Sequence, residues 1–349
     1  MKRFTYILII VLLVLGVESL PVSAEAAIPF TVSAVIPENQ IDNNLSYFDL
    51  KVNSGHMQDI SIAVRNQSDK TIRVHVIPKN GTTSSTGVID YSGSGLLLDG
   101  PALFRFTEIC APAQLVELLP HESKLVHFTM TIPDGSLDGT VLGGFLISEE
   151  EDETVLPEES KENGIQIRNR FSYVLGVKLR ENLIDPVPDF RLGKIEPSKW
   201  NARFALAVDL EMPVSTIVSG YSLSGQLLCA KTGEVIHSFK RESFSMAPIS
   251  IYRIHENLSS DSLPGGDYLM RLQILNGEER WELEKEFSVS EIQKQLTIAG
   301  TIEGRNARLI LVLGVIVVLL ITLIAIYVVF RICKMKKAAH DARRKSTKG

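Results

Sequence analysis

ENQIDNNLSYFDLKVNSGHMQDISIAVRNQSDKTIRVHV, residues 38–76, holds the pattern on which the fold turns. Ile60, Ile62 and Val64 recur at every second position, and Ile72, Val74 and Val76 repeat that spacing further on. A period of two puts the apolar side chains on one face of a β-strand and the polar ones on the other. The stretch opens, however, on Glu38-Asn39-Gln40, a polar cluster that no strand needs. Two readings stay open: the cluster belongs to a binding site, or it is the turn that feeds a sandwich of sheets.

The same alternation continues outward along the chain. Val126, Phe128, Met130 and Ile132 alternate with Leu125, His127, Thr129 and Thr131. A longer run takes in Ile165, Ile167, Asn169, Phe171, Tyr173, Leu175, Val177 and Leu179. Phe204, Leu206, Val208 and Leu210 alternate with small or acidic residues, and in WELEKEFSV (281–289) three glutamates face away from Trp281, Leu283, Phe287 and Val289. One buried and one wet face per strand is the signature of antiparallel sandwiches, and Asn-Gly, Asp-Gly and Pro-Gly pairs supply the turns. The predicted fold is all-β: two tandem Ig-like antiparallel β-sandwich domains, followed by one C-terminal transmembrane helix. ENLIDPVPDF (181–190), with two prolines, is the predicted linker between a first domain, 25–184, and a second, 185–290. In LPGGDYLMRLQIL (263–275), a glycine-rich turn leading to Tyr268 predicts a tyrosine corner, in which the phenol ties down a crossing loop.

The two ends set the topology. Lys2 and Arg3, an apolar run over 4–15 and Val22-Ser23-Ala24 read as a signal peptide, 1–24, cleaved after Ala24. Leu309–Phe330 is a run of 22 uncharged residues, of which 18 are Leu, Ile, Val or Phe. As a helix it spans roughly 33 Å, against a hydrocarbon core of about 30 Å. Residues 331–349 contain eight Lys or Arg against one Asp, which places this tail in the cytoplasm and the body outside the cell. The juxtamembrane stalk, 291–308, has no Leu-Pro-x-Thr-Gly motif for transfer to the wall, so the helix is expected to remain as the anchor.

Residues 25–308 hold 26 Lys or Arg against 39 Asp or Glu, a net charge of −13 that the basic tail masks in the overall −5. A body this acidic argues against nucleic acid and anionic wall polymers as partners. Cys110 and Cys229 lie far apart, one per predicted domain, so two separate thiols are expected rather than a disulfide framework. The acidic stretch 149–164 reads as a solvated loop, with a calcium site as the alternative. HESKL (121–125) lacks the second histidine of a zinc-protease motif, and YSGSG (91–95) lacks the spacing of a nucleophile elbow. No catalytic, metal or cofactor site is predicted, and the chain is not expected to be an enzyme.

The ordered set AVIPENQ, YFDLKV, RNQSDK, GVIDYSGS, DGTVLGG and YVLG in the first domain, with LGKIEP, MAP and GGDYLMRLQI in the second, resembles the WxL-interacting protein family of Gram-positive cell surfaces. Asn53-Ser54-Gly55 departs from that family's usual proline before the glycine. The resemblance implies a peptidoglycan-binding first domain and a second domain that binds a host protein. It also implies partnership with wall-associated proteins bearing Trp-x-Leu motifs. The chain's own Trp281-Glu282-Leu283 continues the strand alternation and is read as structure.

A glycan or stem-peptide site needs neutral hydrogen-bonding groups beside an aromatic platform. Glu38, Asn39, Gln40 and Tyr47 offer both, and they are the predicted peptidoglycan-binding residues. The expected function is a membrane-anchored, cell-wall-associated scaffold. The alternatives are an extracytoplasmic assembly chaperone donating a strand to secreted subunits and a single-pass receptor. A chaperone requires a long apolar edge that the Glu-rich faces do not offer, and the tail is too short to hold a signalling domain.

Overall fold

The computed structural model describes residues 28–99, 104–150, 171–258 and 263–290. The predicted signal peptide, stalk, transmembrane helix and tail lie outside these residues, as do residues 151–164 of the acidic stretch. Among the described residues no helix is long and apolar enough to cross a membrane.

Apart from one short helix the described residues are all-β, with two separate apolar cores, each held between two sheets. In the first module β1 (Phe30–Val35), β3 (Met57–Asn66) and β9 (Ser123–Thr131) form an antiparallel three-stranded sheet. It faces a five-stranded sheet ordered β2 (Phe48–Lys51), β11 (Ser172–Arg180), β10 (Thr140–Glu149), β4 (Ile72–Asn80) and β8 (Gln114–Leu118). Ile60, Ile62 and Val64 on one sheet, and Val74 and Val76 on the other, all lie buried between them, as the alternation predicts. Phe128 on β9 meets Phe145 on β10 across the gap, ring centroids 4.5 Å apart. Among the described strands β2 is the exception to antiparallel pairing: it runs parallel to β11 and is locked there by a two-pronged Arg180–Asp49 ion pair with contacts of 2.7, 2.9 and 3.2 Å. Both side chains are largely shielded from water, where such a pair fixes register more than it adds stability.

The second module packs β15 (Val235–Met246), β14 (Val218–Cys229), β17 (Gly266–Asn276) and β18 (Glu279–Val289) against a sheet that begins β12 (Arg191–Trp200), β13 (Arg203–Met212), β16 (Ser250–Asn257). Trp281, Leu283 and Phe287 pack on its core, so the Trp-Glu-Leu tripeptide is strand alternation, as read. Tyr268 donates to the Pro264 carbonyl at 2.7 Å, which is the predicted tyrosine corner. Both outward cysteines are free thiols.

That second sheet does not end at β16. Between β4 and the short helix α1 (Phe106–Ile109), the chain leaves the first module and adds β7 (Leu96–Leu97), β5 (Thr82–Thr83) and β6 (Ile89–Asp90) to it. Leu96 and Leu97 pair with Ile251 and Ser250, the Leu98 N–H donates to the Ile249 carbonyl at 3.1 Å, and the Ser245 N–H donates to the Gly87 carbonyl at 2.8 Å. Gly87 has φ +75°, and a Cβ there would come within 2.9–3.0 Å of Tyr252 and Phe244. Glycine is therefore needed both for its conformation and for the close approach. Residues 82–97, read from sequence as part of the first domain, thus supply strands to the second module's sheet.

Candidate functional site

The polar cluster of the opening stretch is largely engaged in holding its own loop. Asn39 donates to the Lys51 carbonyl at 2.8 Å and to Gln58 Oε1 at 2.7 Å. Gln40 is buried; its amide donates to the Tyr47 carbonyl at 3.0 Å and the Asp42 carbonyl at 3.1 Å, and accepts from the Asp49 N–H at 3.0 Å. These bonds fold residues 40–47 back against β2, which suits the turn reading of Asn39 and Gln40. Glu38 lies exposed beside them. Tyr47, at the far end of the loop, is 39% exposed, so its ring is open to a ligand.

Tyr47 stands beside a second tyrosine that the sequence reading did not single out as a site residue. On the outer face of the five-stranded sheet, Lys79, Gly144 and Gly176 are neighbours in register across β4, β10 and β11. The ring of Tyr91 lies over the two glycines. Its Cδ1 and Cε1 come within 3.1 and 3.2 Å of where a Gly144 Cβ would stand, and its hydroxyl within 3.7 Å of the corresponding point at Gly176. Tyr47 Cβ approaches the same point at Gly176 to 3.8 Å, so the two rings border one shallow, glycine-floored shelf. Val174 (49% exposed), Leu146 and Ile77 form the next row of this face.

Local chemistry holds Tyr91 in place. It sits in a turn whose Asp90 carboxylate accepts from the Ser92 hydroxyl at 2.5 Å and the Ser94 hydroxyl at 3.1 Å. Burial alone would raise the Asp90 pKa, but the bonds from Ser92, Ser94 and the Tyr91 backbone outweigh it and hold the carboxyl below its usual range. Burial, with the Tyr47 phenol adding to it, pushes the Tyr91 phenol up to about 12. The Tyr91 phenol is therefore a neutral hydrogen-bonding group at physiological pH.

The sequence carries a signal for this shelf in the glycines. A glycine inside a strand weakens it and marks a close approach by something else. Gly143-Gly144 and Gly176 interrupt otherwise apolar runs. What approaches them, Tyr91 on an excursion from between β4 and α1, could not be read from spacing.

Other candidates are less suited to a ligand. A cavity of about 150 Å³ at the junction of the modules, lined by Phe104, Ser136, Asp138, Thr140 and Ser215 among others, is smaller than pockets that enclose organic ligands. Among the described residues no group of three His, Cys, Asp or Glu side chains could hold a metal ion. Glu150 at the start of the acidic stretch pairs with Arg73 at 2.7 Å.

Comparison with known proteins gives two family matches in series. A family described as WxL Interacting Protein, peptidoglycan binding domain, matches residues 30–149, and WxL Interacting Protein, host binding domain, matches 162–297. The second match begins upstream of β11, a strand that lies in the first module's sheet. No curated protein matches the chain. Among solved structures, the Pseudomonas aeruginosa CupB2 chaperone is 13% identical with a TM-score of 0.25, covering 65% of this chain and 92% of that one. The E. coli chaperone DraB is 12% identical with a TM-score of 0.27, covering 75% and 98%. A PapD-like domain of human CEP192 is 11% identical with a TM-score of 0.24, covering 49% and 98%. Superpositions this loose carry no argument about function.

Proposed function

Because the chain belongs to the WxL-interacting protein family, we propose that it is a non-enzymatic scaffold at the cell surface, built from two Ig-like sandwiches. Residues 25–184 bind peptidoglycan. Residues 185–290 bind a WxL-type surface protein or a host extracellular protein. The signal peptide 1–24 exports the body, and the helix 309–330 holds it to the membrane with the basic tail inside. The observation that carries this reading is the order of the two family matches, which together span most of the exported body.

Of the four residues proposed from sequence, Tyr47 is the one we assign to ligand contact, on the strength of its exposed side chain. Asn39 and Gln40 present it by fixing the loop, and Glu38 lies exposed at the loop's start.

Co-sedimentation of the detergent-solubilised full chain with purified sacculi, beside capture of surface proteins from the same cells, tests the binding assignments. Protease added to wall-stripped cells tests the topology. It is expected to digest the body and to spare a tag after Gly349; a protected body would overturn the orientation.

A further inference from the structure

The outer face that carries the two tyrosines also carries positive charge with no protein partner. Lys79 lies in register with Gly144, and Lys178 lies two residues beyond Gly176 on the same face of β11. Neither lysine is in an ion pair or hydrogen bond among the described residues. The neighbouring acids are already engaged: Asp49 by Arg180, and Asp90 by Ser92 and Ser94. The Tyr47 and Tyr91 hydroxyls likewise have no hydrogen-bond partner among the described residues. In a body of net charge −13, two unneutralised lysines bracketing two unbonded phenols are complementary to a neutral ring with a carboxylate nearby.

We propose that the shelf of Tyr47 and Tyr91 over Gly144 and Gly176 binds the glycan strand of peptidoglycan at a peptide-bearing sugar. An N-acetylated pyranose face lies against the phenol rings, and the free carboxylates of its peptide substituent lie toward Lys79 and Lys178. The inference rests on the peptidoglycan reading above and names the part of the polymer recognised. Sugar rings present C–H groups on a flat face and hydroxyls at the rim, which suits an aromatic surface edged by phenol hydroxyls. Gly176 seats both tyrosines: a Cβ there would meet the Tyr91 hydroxyl and the Tyr47 side chain at ordinary contacts of 3.7–4.0 Å, and any bulkier side chain would press on both rings. Two local charges also select a carboxylate on a short stem over a polyanion, which the acidic body repels.

The test uses the full chain in detergent with three soluble probes: a disaccharide–peptide muropeptide, the same disaccharide with its peptide removed and the exposed sugar carboxyl capped as a neutral amide, and the free peptide. The muropeptide is expected to bind tightest, and the free peptide at least tenfold more weakly. Tyr47→Ala and Tyr91→Ala should each weaken the muropeptide at least tenfold. Gly176→Val, which crowds both rings from the sheet side and leaves the Asp90–Ser94 turn intact, should do the same in protein that still unfolds in one cooperative urea transition. Lys79→Gln with Lys178→Gln should weaken the muropeptide severalfold, leave the peptide-free disaccharide unchanged and flatten the salt dependence. If the wild type sediments with sacculi and the folded Gly176→Val and Tyr47→Ala proteins bind as well as it does, the shelf is not the site, although the peptidoglycan reading stands. A free peptide that binds as tightly as the muropeptide overturns recognition of the sugar. A wild type that binds neither sacculi nor muropeptide removes the functional reading and this inference with it.

Discussion

Thr83 and Ser250 lie 167 residues apart in sequence and 2.6 Å apart between hydroxyl oxygens, both fully buried at the seam between the modules. Ser250 donates to the Ala247 carbonyl at 2.7 Å, and the Ala247 N–H donates to Thr83 Oγ1 at 3.0 Å. The Thr83 hydroxyl proton is therefore left for Ser250 Oγ, and the three bonds close a ring. Thr83→Val keeps the shape of the side chain but strips the acceptor from a buried N–H, which costs about 1–3 kcal/mol. Thr83→Ser retains the ring and should lose less than about 1 kcal/mol. Urea unfolding of the three proteins checks the order, and a Val variant as stable as the Ser variant would contradict it.

Gln40→Ala removes three hydrogen bonds from a buried loop and leaves the Asp49 N–H without its acceptor. The expected loss is about 1–3 kcal/mol, or several degrees in melting temperature. Peptidoglycan binding per folded molecule is expected to change far less than in Tyr47→Ala. Sedimentation and melting on the same samples separate the two effects. Full stability with lost binding would restore Gln40 as a ligand contact.

The two described thiols should differ sharply in reactivity. Burial pushes the Cys110 thiol up to about 12, so it is protonated and shielded in the native protein. The Thr232 hydroxyl, with the Thr232 and Lys231 N–H groups, holds the half-buried Cys229 thiol below its ordinary value. Iodoacetamide at pH 8, followed by peptide mapping, is expected to label Cys229 within minutes and Cys110 only after unfolding. Equal labelling would refute the assignment.

His255 stacks on Trp200 with ring centroids 4.1 Å apart, and its Nδ1 is buried without a hydrogen-bond partner. Burial first, then Arg253 on the same strand, holds its pKa below 6.5 against the opposing pull of Asp209 on β13. As pH falls below about 6.5, the unfolded chain takes up this proton before the folded one does, so stability falls with it. His255→Phe keeps an aromatic ring against Trp200 and removes the proton site. Its urea midpoint should drop less between pH 7.5 and 5.5 than that of the wild type. Parallel curves would mean that His255 is not responsible.

The period-two runs made the sheets legible because burying one face of a strand constrains every second side chain. Ile60 to Val64, Val126 to Ile132 and Trp281 to Val289 face inward as read. The tyrosine corner was legible too, because its turn and its phenol are neighbours in sequence. Residues 82–97 were not, since strands of two residues carry no period and β16, to which β7 joins them, lies about 150 residues downstream. The shelf failed to show for the same reason: Tyr47, Tyr91, Gly144 and Gly176 come from four segments, and only the sheet register brings them together.

The excursion through residues 82–97 makes the second module discontinuous in the gene. A crossover within 181–190 that replaced this half with a relative's would transplant β12 to β18 and leave behind three strands of the same sheet. The recipient's Thr83 and Gly87 would then have to fit a foreign Ser250, Tyr252 and Phe244. Such chimeras are expected to work only when both parents share this seam. Recombination would thus pass the two halves on as a matched pair, although the chain looks severable at its prolines.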